Sequence, residues 1–258
     1  MWSNIKKVSF PREHGSWGFL LEPLTLSLLV ASSPNGLLLA LATFVIFLNH
    51  QPVRILLNEN DSKKIKSSAI VFFLIYFLVI GILLISITRE TTLELLIPFS
   101  ISIVIMFGYL VLEIKNYGRN LFAEFIAPVA IIFVALNIVL LDGWEFEKIF
   151  AFGIVLLSRT IPTLLYVRTK VKIIKGQNSE SLWLRVTELF FLILITILAL
   201  IKLIPILSIF AVLLLISRSI VGLQPKNKME KIKKLGMKEF GFGILFVVIN
   251  AVGYLFNL

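Results

Sequence analysis

Polar side chains that could bind an anion or transfer a proton interrupt an otherwise apolar sequence at Phe47–Leu57, FLNHQPVRILL. Within six residues this segment carries two amides, an imidazole and a guanidinium, namely Asn49, Gln51, His50 and Arg54. Because Pro52 lacks an N–H group and crowds the preceding turn, we expect the helix to loosen or end there. Lipid cannot satisfy the backbone groups of a broken helix, so the segment must face protein or a wet cavity. The pattern therefore predicts one wall of a polar cavity at a membrane face.

A second polar segment brings arginine and proline together, since Arg159 precedes Pro162, and Tyr166 and Arg168 follow it. At a rise of 1.5 Å per residue, Arg159 lies about 13 Å along a helix from Arg168, well inside the apolar run. Arginine forks match phosphate oxygens, and a low dielectric strengthens the contact. A cationic site above an apolar bundle fits a prenyl phosphate or another lipid phosphate. The predicted substrate-binding residues are Asn49, His50, Gln51, Arg54, Arg159, Tyr166 and Arg168.

The N-terminal segment supplies the candidate proton-transfer groups. Glu13 and His14 lie in PREHGSW, just before the first apolar run. A histidine changes its charge near neutral pH, so we predict that these two residues are catalytic. His14 and His50 do not share a helix face, and no H-E-x-x-H pattern is present, so no metal site is predicted. The chain has no cysteine, which excludes disulfides and thiolate metal sites, and no motif identifies a cofactor.

The composition predicts an all-α, polytopic membrane helical bundle that forms a single domain over residues 1–258. Hydrophobic residues make up 58% of the chain, and its mean hydropathy is +0.97. Repeated apolar runs of about 20 residues are typical of membrane-spanning helices. We expect an N-terminal segment, 1–16, followed by nine spans at about 17–33, 36–53, 68–88, 93–113, 120–141, 146–168, 182–201, 203–223 and 239–257.

The basic residues predict the orientation of the chain in a cell membrane. With nine spans, 22 of the 25 Lys and Arg residues fall on the side of the N-terminus, and Arg89, Lys148 and Lys202 fall on the other. Cytoplasmic loops carry such an excess, so we expect a cytoplasmic N-terminus and an extracytoplasmic C-terminus. This asymmetry also explains the net charge of +10, so the lipid bilayer rather than nucleic acid is the expected partner.

The charged residues also have purely structural interpretations. Glu22 and Arg159 would form an ion pair between helices, since buried charges are normally paired. Arg185 and Glu188 have the i, i+3 spacing of a local pair on one helix. Arg168 would serve only to set the topology, as one of the basic residues on the inner side.

The N-terminal P-x-E-H-G-x-W pattern resembles the signature of the YwiC-like family of bacterial and archaeal membrane proteins. Its residues here are Pro11, Glu13, His14, Gly15 and Trp17. The Q-P-x-R pattern that ends at Arg54 and the segment from Arg159 to Arg168 are similar to that family's other marked stretches. The resemblance covers three polar junctions and, through the shared pattern of spans, most of the chain. It implies a membrane protein but no particular activity.

The architecture also resembles the UbiA superfamily of membrane prenyltransferases, which has nine spans and long inner loops after the second and sixth. That resemblance implies a prenyl diphosphate held with Mg²⁺ by aspartate-rich motifs in those two places. Asn49 matches the first position of the first motif, but the aspartates are replaced by His50, Val53 and Leu57. The resemblance therefore implies a UbiA-like bundle whose basic residues hold a phosphate directly, without metal.

These observations favour a protein that binds an anionic isoprenoid or other lipid phosphate in a cytoplasm-facing basic cavity, with a prenyltransferase-like reaction as one form of this hypothesis. Two alternatives stay open. The first is a proton-coupled transporter or flippase in which buried carboxylates carry protons, namely Glu22, Glu124 and Glu188. The second is a non-catalytic membrane subunit or assembly factor.

Overall fold

The computed structural model describes residues 8–9, 14–57, 62–115, 117, 120–177, 179–224 and 232–258, with the backbone alone for 14–16. Nine α-helices and no strand occur among these residues, which confirms the predicted all-α class. The helices are α1 His14–Val30, α2 Pro34–Leu57, α3 Lys63–Glu90, α4 Ile97–Ile114, α5 Leu121–Leu141, α6 Phe146–Ile174, α7 Leu182–Leu200, α8 Leu207–Gly222 and α9 Ile232–Phe256. A short 3-10 helix, Leu93–Leu96, leads into α4.

Seven of these helices, α2 to α7 and α9, are long and apolar enough to cross a membrane. The apolar parts of the other two are shorter, at Trp17–Val30 and Leu207–Gly222. On α3, large apolar side chains are mostly exposed, as at Leu74, Phe77 and Leu78. Such a surface is stable only in contact with lipid or another apolar surface. The chain is therefore a multi-pass helical membrane protein, and its nine helices follow the nine predicted spans in order.

Helix α6 lies at the centre of the bundle and packs against α5, α7, α8 and α9. Its side chains Phe152, Val155 and Leu156 are buried in the main core, with Ile195 of α7 and Phe246 of α9. Helix α1 packs against α5 and α9. Helix α2 packs against α3, and α4 packs against α5. The central position of α6 explains why its polar residues, and not those of α3, meet side chains from several other helices.

The expected break at Pro52 does not occur, because α2 continues through Pro52 to Leu57. Prolines lie inside three other helices as well, at Pro23, Pro128 and Pro162. A proline removes one backbone hydrogen bond, and neighbouring groups in a membrane bundle can compensate for that loss. The apolar residues that follow Pro52 favour helix, so Asn49 to Arg54 lie on a helix and not at a broken end.

The long inner loops are also shorter than predicted. Helix α6 continues to Ile174, six residues beyond the predicted span, so that Arg168 and Lys170 are helical. Helix α9 begins at Ile232 rather than near residue 239, and α3 begins at Lys63. Charged residues at the ends of a membrane helix stop an apolar run in the sequence, but they do not stop the helix itself.

Hydrogen bonds distinguish the two ends of the bundle. At one end, where α2, α4, α6 and α8 finish, Arg168 of α6 contacts Glu124 near the start of α5. We call this the charged end. At the other end, Asn137 near the end of α5 contacts the backbone of Leu95 and Phe99 before and within α4. We call it the Trp144 end, after the residue in the α5–α6 connection.

Candidate functional site

A buried ion pair between α6 and α1 lies at the centre of the charged end. The Arg159 guanidinium donates from Nε to Oε2 of Glu22 at 2.9 Å and from Nη2 to Oε1 at 3.2 Å. Its Nη1 donates to Oγ1 of Thr163 at 2.5 Å, and Nη2 also donates to the carbonyl oxygen of Glu239 at 3.0 Å. Arg159 is only 4% exposed. The ion pair between Glu22 and Arg159 is thus confirmed, and Arg159 has partners on all three nitrogens.

A second buried arginine, Arg218 of α8, has partners for only part of its guanidinium. Its Nη1 donates to Oε2 of Glu239 at 2.5 Å, and its guanidinium carbon lies 4.4 Å from the ring centre of Tyr166. Its Nε and Nη2 atoms are buried and have no hydrogen-bond partner among the described residues. In Arg159 the same two atoms form the fork that binds the Glu22 carboxylate. Arg218 therefore has two adjacent donor atoms inside the bundle that are unsatisfied, and we call this pair of atoms its open fork.

A partly satisfied carboxylate lies on the neighbouring helix. Oε2 of Glu188 accepts a hydrogen bond from Nη1 of Arg185 at 2.8 Å, which confirms the local pair. Arg185 also donates to Oγ of Ser219, the residue that follows Arg218, at 2.8 Å. Glu188 is 4% exposed, and its Oε1 has no partner within the described part of the chain. The cluster thus combines an open donor fork with an open acceptor oxygen.

Two glycines allow the helices to approach this cluster closely. A Cβ atom on Gly222 would overlap the Tyr166 hydroxyl, and one on Gly243 would overlap the Glu22 carboxylate. Lys170, which is fully buried, donates from Nζ to the carbonyl oxygen of Gly222 at 2.5 Å. A positive group at the end of a helix is favourable, because the last carbonyl groups carry partial negative charge. The close approach at Gly222 leaves room for the Tyr166 ring beside the Arg218 guanidinium.

The predicted site residues on α2 form a separate cluster. Nε2 of His50 lies 2.7 Å from Oε2 of Glu113 on α4, and Nε of Arg54 lies 3.6 Å from Oε1 of the same carboxylate. Arg54 is half exposed, whereas Asn49 and Gln51 are buried, and Oδ1 of Asn49 has no partner among the described side chains. Through Glu113, this cluster joins α2 to α4.

The single cationic cavity predicted from the sequence is thus divided. Arg54 pairs with Glu113, Arg168 pairs with Glu124 at 2.9 Å, and Arg159 pairs with Glu22. Carboxylates on neighbouring helices neutralise each guanidinium, and of these three pairs the sequence interpretation assigned only Arg159 with Glu22. The hollow beside Arg159 and Glu22 measures only about 10 Å³, roughly the space of one water.

The predicted catalytic residues cannot be placed. Glu13 lies outside the described residues, and His14 begins α1 with its side chain likewise outside them. Trp17, one turn later, packs against Phe44 and Phe47 of α2. This contact brings the start of α1 beside the polar segment of α2. No group of three or more His, Asp or Glu side chains that could hold a metal ion occurs among the residues searched, all of which are described ones.

Arg218 and Glu239 were not among the site residues predicted from the sequence. Thr163, which accepts hydrogen bonds from both Arg159 and Arg218, was not singled out at all. The sequence did contain a signal that could have identified Arg218, because, like Arg159, it is an arginine within an apolar run. Such residues usually face the interior of a bundle and are functional candidates.

A family model described as YwiC-like protein matches residues 10–139, just over half of the 258-residue chain. The chain belongs to the YwiC-like family. The YwiC-like match includes the P-x-E-H-G-x-W pattern, Gln51 and Arg54, whereas Arg159 and Arg218 lie beyond it. No curated protein and no solved structure matches the chain. The UbiA-like architecture therefore stays a prediction.

Proposed function

We propose that this YwiC-like membrane protein binds the anionic headgroup of a prenyl phosphate or another lipid phosphate at the charged end, with Arg218 as the residue that contacts it. The open fork of Arg218 is the observation that carries this proposal. A buried donor without a partner is unfavourable, because the group has lost water and gained nothing in return. An anion with two oxygens would satisfy both atoms, as the Glu22 carboxylate does for the fork of Arg159.

The charges around the fork also favour an anionic ligand. Among the described residues of this cluster, the positive side chains are Arg159, Lys170, Arg185 and Arg218, and the negative ones are Glu22, Glu188 and Glu239. Of these positive groups, Arg218 is the one with two buried donor atoms that lack a partner among the described residues. An anionic headgroup suits such donors, because hydrogen bonds between a guanidinium and an anion are strong.

The lipid-facing side of α8 would accommodate an apolar tail. Arg218 and Ser219 are buried, whereas the next two residues, Ile220 and Val221, are more than half exposed. A headgroup at Arg218 would thus lie within one helical turn of the hydrocarbon. In this proposal Tyr166 positions the guanidinium, and Arg159 holds Glu22 and Thr163 in place. A role for Glu13 and His14 in proton transfer stays a prediction.

The charged end faces the cytoplasm in this proposal, since it would carry 22 of the 25 basic residues. The absence of native cysteine makes the test direct. Single cysteines at Ser62 and Asn257 would be labelled with a membrane-impermeant maleimide in intact cells and in lysates. Labelling of Asn257→Cys in intact cells and of Ser62→Cys only after lysis supports the orientation. The reverse result contradicts it.

Ligand-dependent stabilisation tests the headgroup site. Farnesyl phosphate would be added to the purified protein in an uncharged detergent, and the melting temperature would be followed. Lys at position 218 keeps the charge opposite Glu239 but removes the fork, so Arg218→Lys should lose most of the ligand-induced stabilisation. Arg168→Lys is the matched control, because Arg168 is partly exposed and already paired with Glu124. Equal stabilisation of both variants would contradict the proposal.

A second candidate function, proton-coupled transport, is favoured by the buried Glu188, whose Oε1 has no partner among the described residues. Carboxylates of this kind occur in the proton relays of membrane transporters. Glu188→Gln would then abolish transport driven by a pH gradient in vesicles while leaving farnesyl phosphate binding intact. Unchanged transport in the Glu188→Gln variant would contradict a proton-coupled transport function that depends on Glu188.

A further inference from the structure

A cavity of about 750 Å³ opens at the Trp144 end, far larger than the hollow beside Arg159. It lies between the α5–α6 connection, the α7–α8 connection and the end of α9. Trp144 and Tyr254 form an aromatic wall, with ring centres 5.6 Å apart, and Phe152 packs behind both rings. Gly253 allows this wall to form, since a Cβ atom there would meet Pro205 at 2.8 Å.

The polar groups in this cavity leave one donor and one positive charge without a partner. The Tyr254 hydroxyl is buried and has no hydrogen-bond partner among the described residues. Lys148 and Lys202 line the same cavity, although the sequence places only three basic residues at this end. Lys148 is paired with Glu145 at 2.9 Å, and its hydrogen bond and charge lower the pKa of that carboxyl group. Among the charged side chains of the lining, Lys202 is thus the one in excess.

The backbone holds Lys202 at the rim in a conformation that usually requires glycine. Its φ is 60°, and the N–H groups of Lys202 and Leu203 close the end of α7 by bonding the carbonyls of Ala199 and Leu198, each at 3.0 Å. Gly143, with φ of 83°, makes the same closure at the end of α5 on the opposite rim. Glycine adopts this left-handed conformation without strain, whereas lysine does not. The backbone thus places a lysine, where glycine would be less strained, at the rim of the cavity that Tyr254 also lines.

We propose that the cavity at the Trp144 end binds a phosphate group, with Lys202 and the Tyr254 hydroxyl as donors and Trp144 as the apolar wall. A phosphate oxygen would accept the hydrogen bond that the tyrosine lacks, and its charge would balance Lys202. The cavity lies where the helices end, at the level of lipid headgroups, so the phosphate is that of a lipid or a free anion. This site is independent of the one proposed at Arg218.

Tryptophan emission gives a readout specific to this cavity. A variant carrying W2F, W17F and W183F retains Trp144 as its only tryptophan. The full chain in uncharged detergent would be titrated with dihexanoyl phosphatidic acid, with inorganic phosphate, and with dihexanoyl phosphatidylcholine as the zwitterionic comparison. A saturable change with inorganic phosphate identifies a free-anion site. A change with phosphatidic acid alone identifies a lipid headgroup site.

Three substitutions in that background test the donors. Lys202→Gly should weaken binding on the order of tenfold, and Tyr254→Phe several-fold, since a hydrogen bond to a charged group is lost in each. Arg89→Gln, the third basic residue at this end and not part of the lining, should leave binding unchanged. Lys202→Gly suits the left-handed backbone, so its melting temperature should not fall. Unchanged affinity in Lys202→Gly, or an equal response to phosphatidylcholine, would overturn the proposal.

Discussion

The coupling energy between the buried side chains of Arg159 and Glu22 should be far larger than that of an exposed ion pair of the same length. The two arginine nitrogens donate to the two carboxylate oxygens at 2.9 and 3.2 Å, and the side chains are 5% and 13% exposed. Each hydrogen bond to a charged group contributes about 1.5–3 kcal/mol. Because Arg159 also contacts Glu239, part of the stabilisation of its charge remains when Glu22 is replaced. We expect a coupling energy of about 3 kcal/mol.

A double-mutant cycle with Glu22→Gln, Arg159→Met and the combined variant measures that coupling. Unfolding would be followed by circular dichroism during titration of dodecyl maltoside micelles with sodium dodecyl sulfate. The control is the cycle for Glu124 and Arg168, whose ion pair has the same 2.9 Å length but whose side chains are 37% and 36% exposed. Exposed pairs contribute about 0–1 kcal/mol. Equal coupling energies in the two cycles would refute the claim that burial makes the Arg159 pair strong.

Three further substitutions test the close contacts and the strained backbone. Gly243→Ala should destabilise the protein by about 1–3 kcal/mol, since its Cβ atom would overlap the Glu22 carboxylate. Gly236→Ala, on the same helix but in open space, should instead be neutral or stabilising by up to about 1 kcal/mol. Lys202→Gly should stabilise by about 1 kcal/mol, because it relieves a left-handed lysine. The same detergent titration measures all three, and a loss of stability in Gly236→Ala or Lys202→Gly would contradict the respective reason.

The helices could be predicted from the sequence because their signals are local. Apolar runs of membrane length gave nine helices in the right order, and the i, i+3 spacing gave the pair of Arg185 and Glu188. The predicted helix break at Pro52 was wrong. A proline breaks a helix only when no neighbouring group compensates for the missing hydrogen bond. Helix ends at Leu57 and Ile174 were missed for a related reason, because charged residues can extend a membrane helix beyond the apolar run.

The candidate site was harder to predict because its contacts are distant in the sequence. Arg159 meets Glu22 across 137 residues and the Glu239 backbone across 80. Which carboxylate neutralises which arginine depends on how the helices pack, and that depends on small contacts such as Gly243 against Glu22. The sequence could show that several charges lie inside apolar runs. It could not show that Arg159 is fully paired while Arg218 keeps an open fork.

Mass spectrometry of the lipid that copurifies with the protein tests the central claim most directly. The wild-type chain and the Arg218→Lys variant would be purified in parallel in an uncharged detergent, and their bound lipids would be extracted and compared. The open fork predicts a lipid phosphate that is enriched with the wild-type chain and lost from the variant, while both remain folded. A wild-type protein that carries no such lipid, or a variant that carries it in equal amount, would contradict the account.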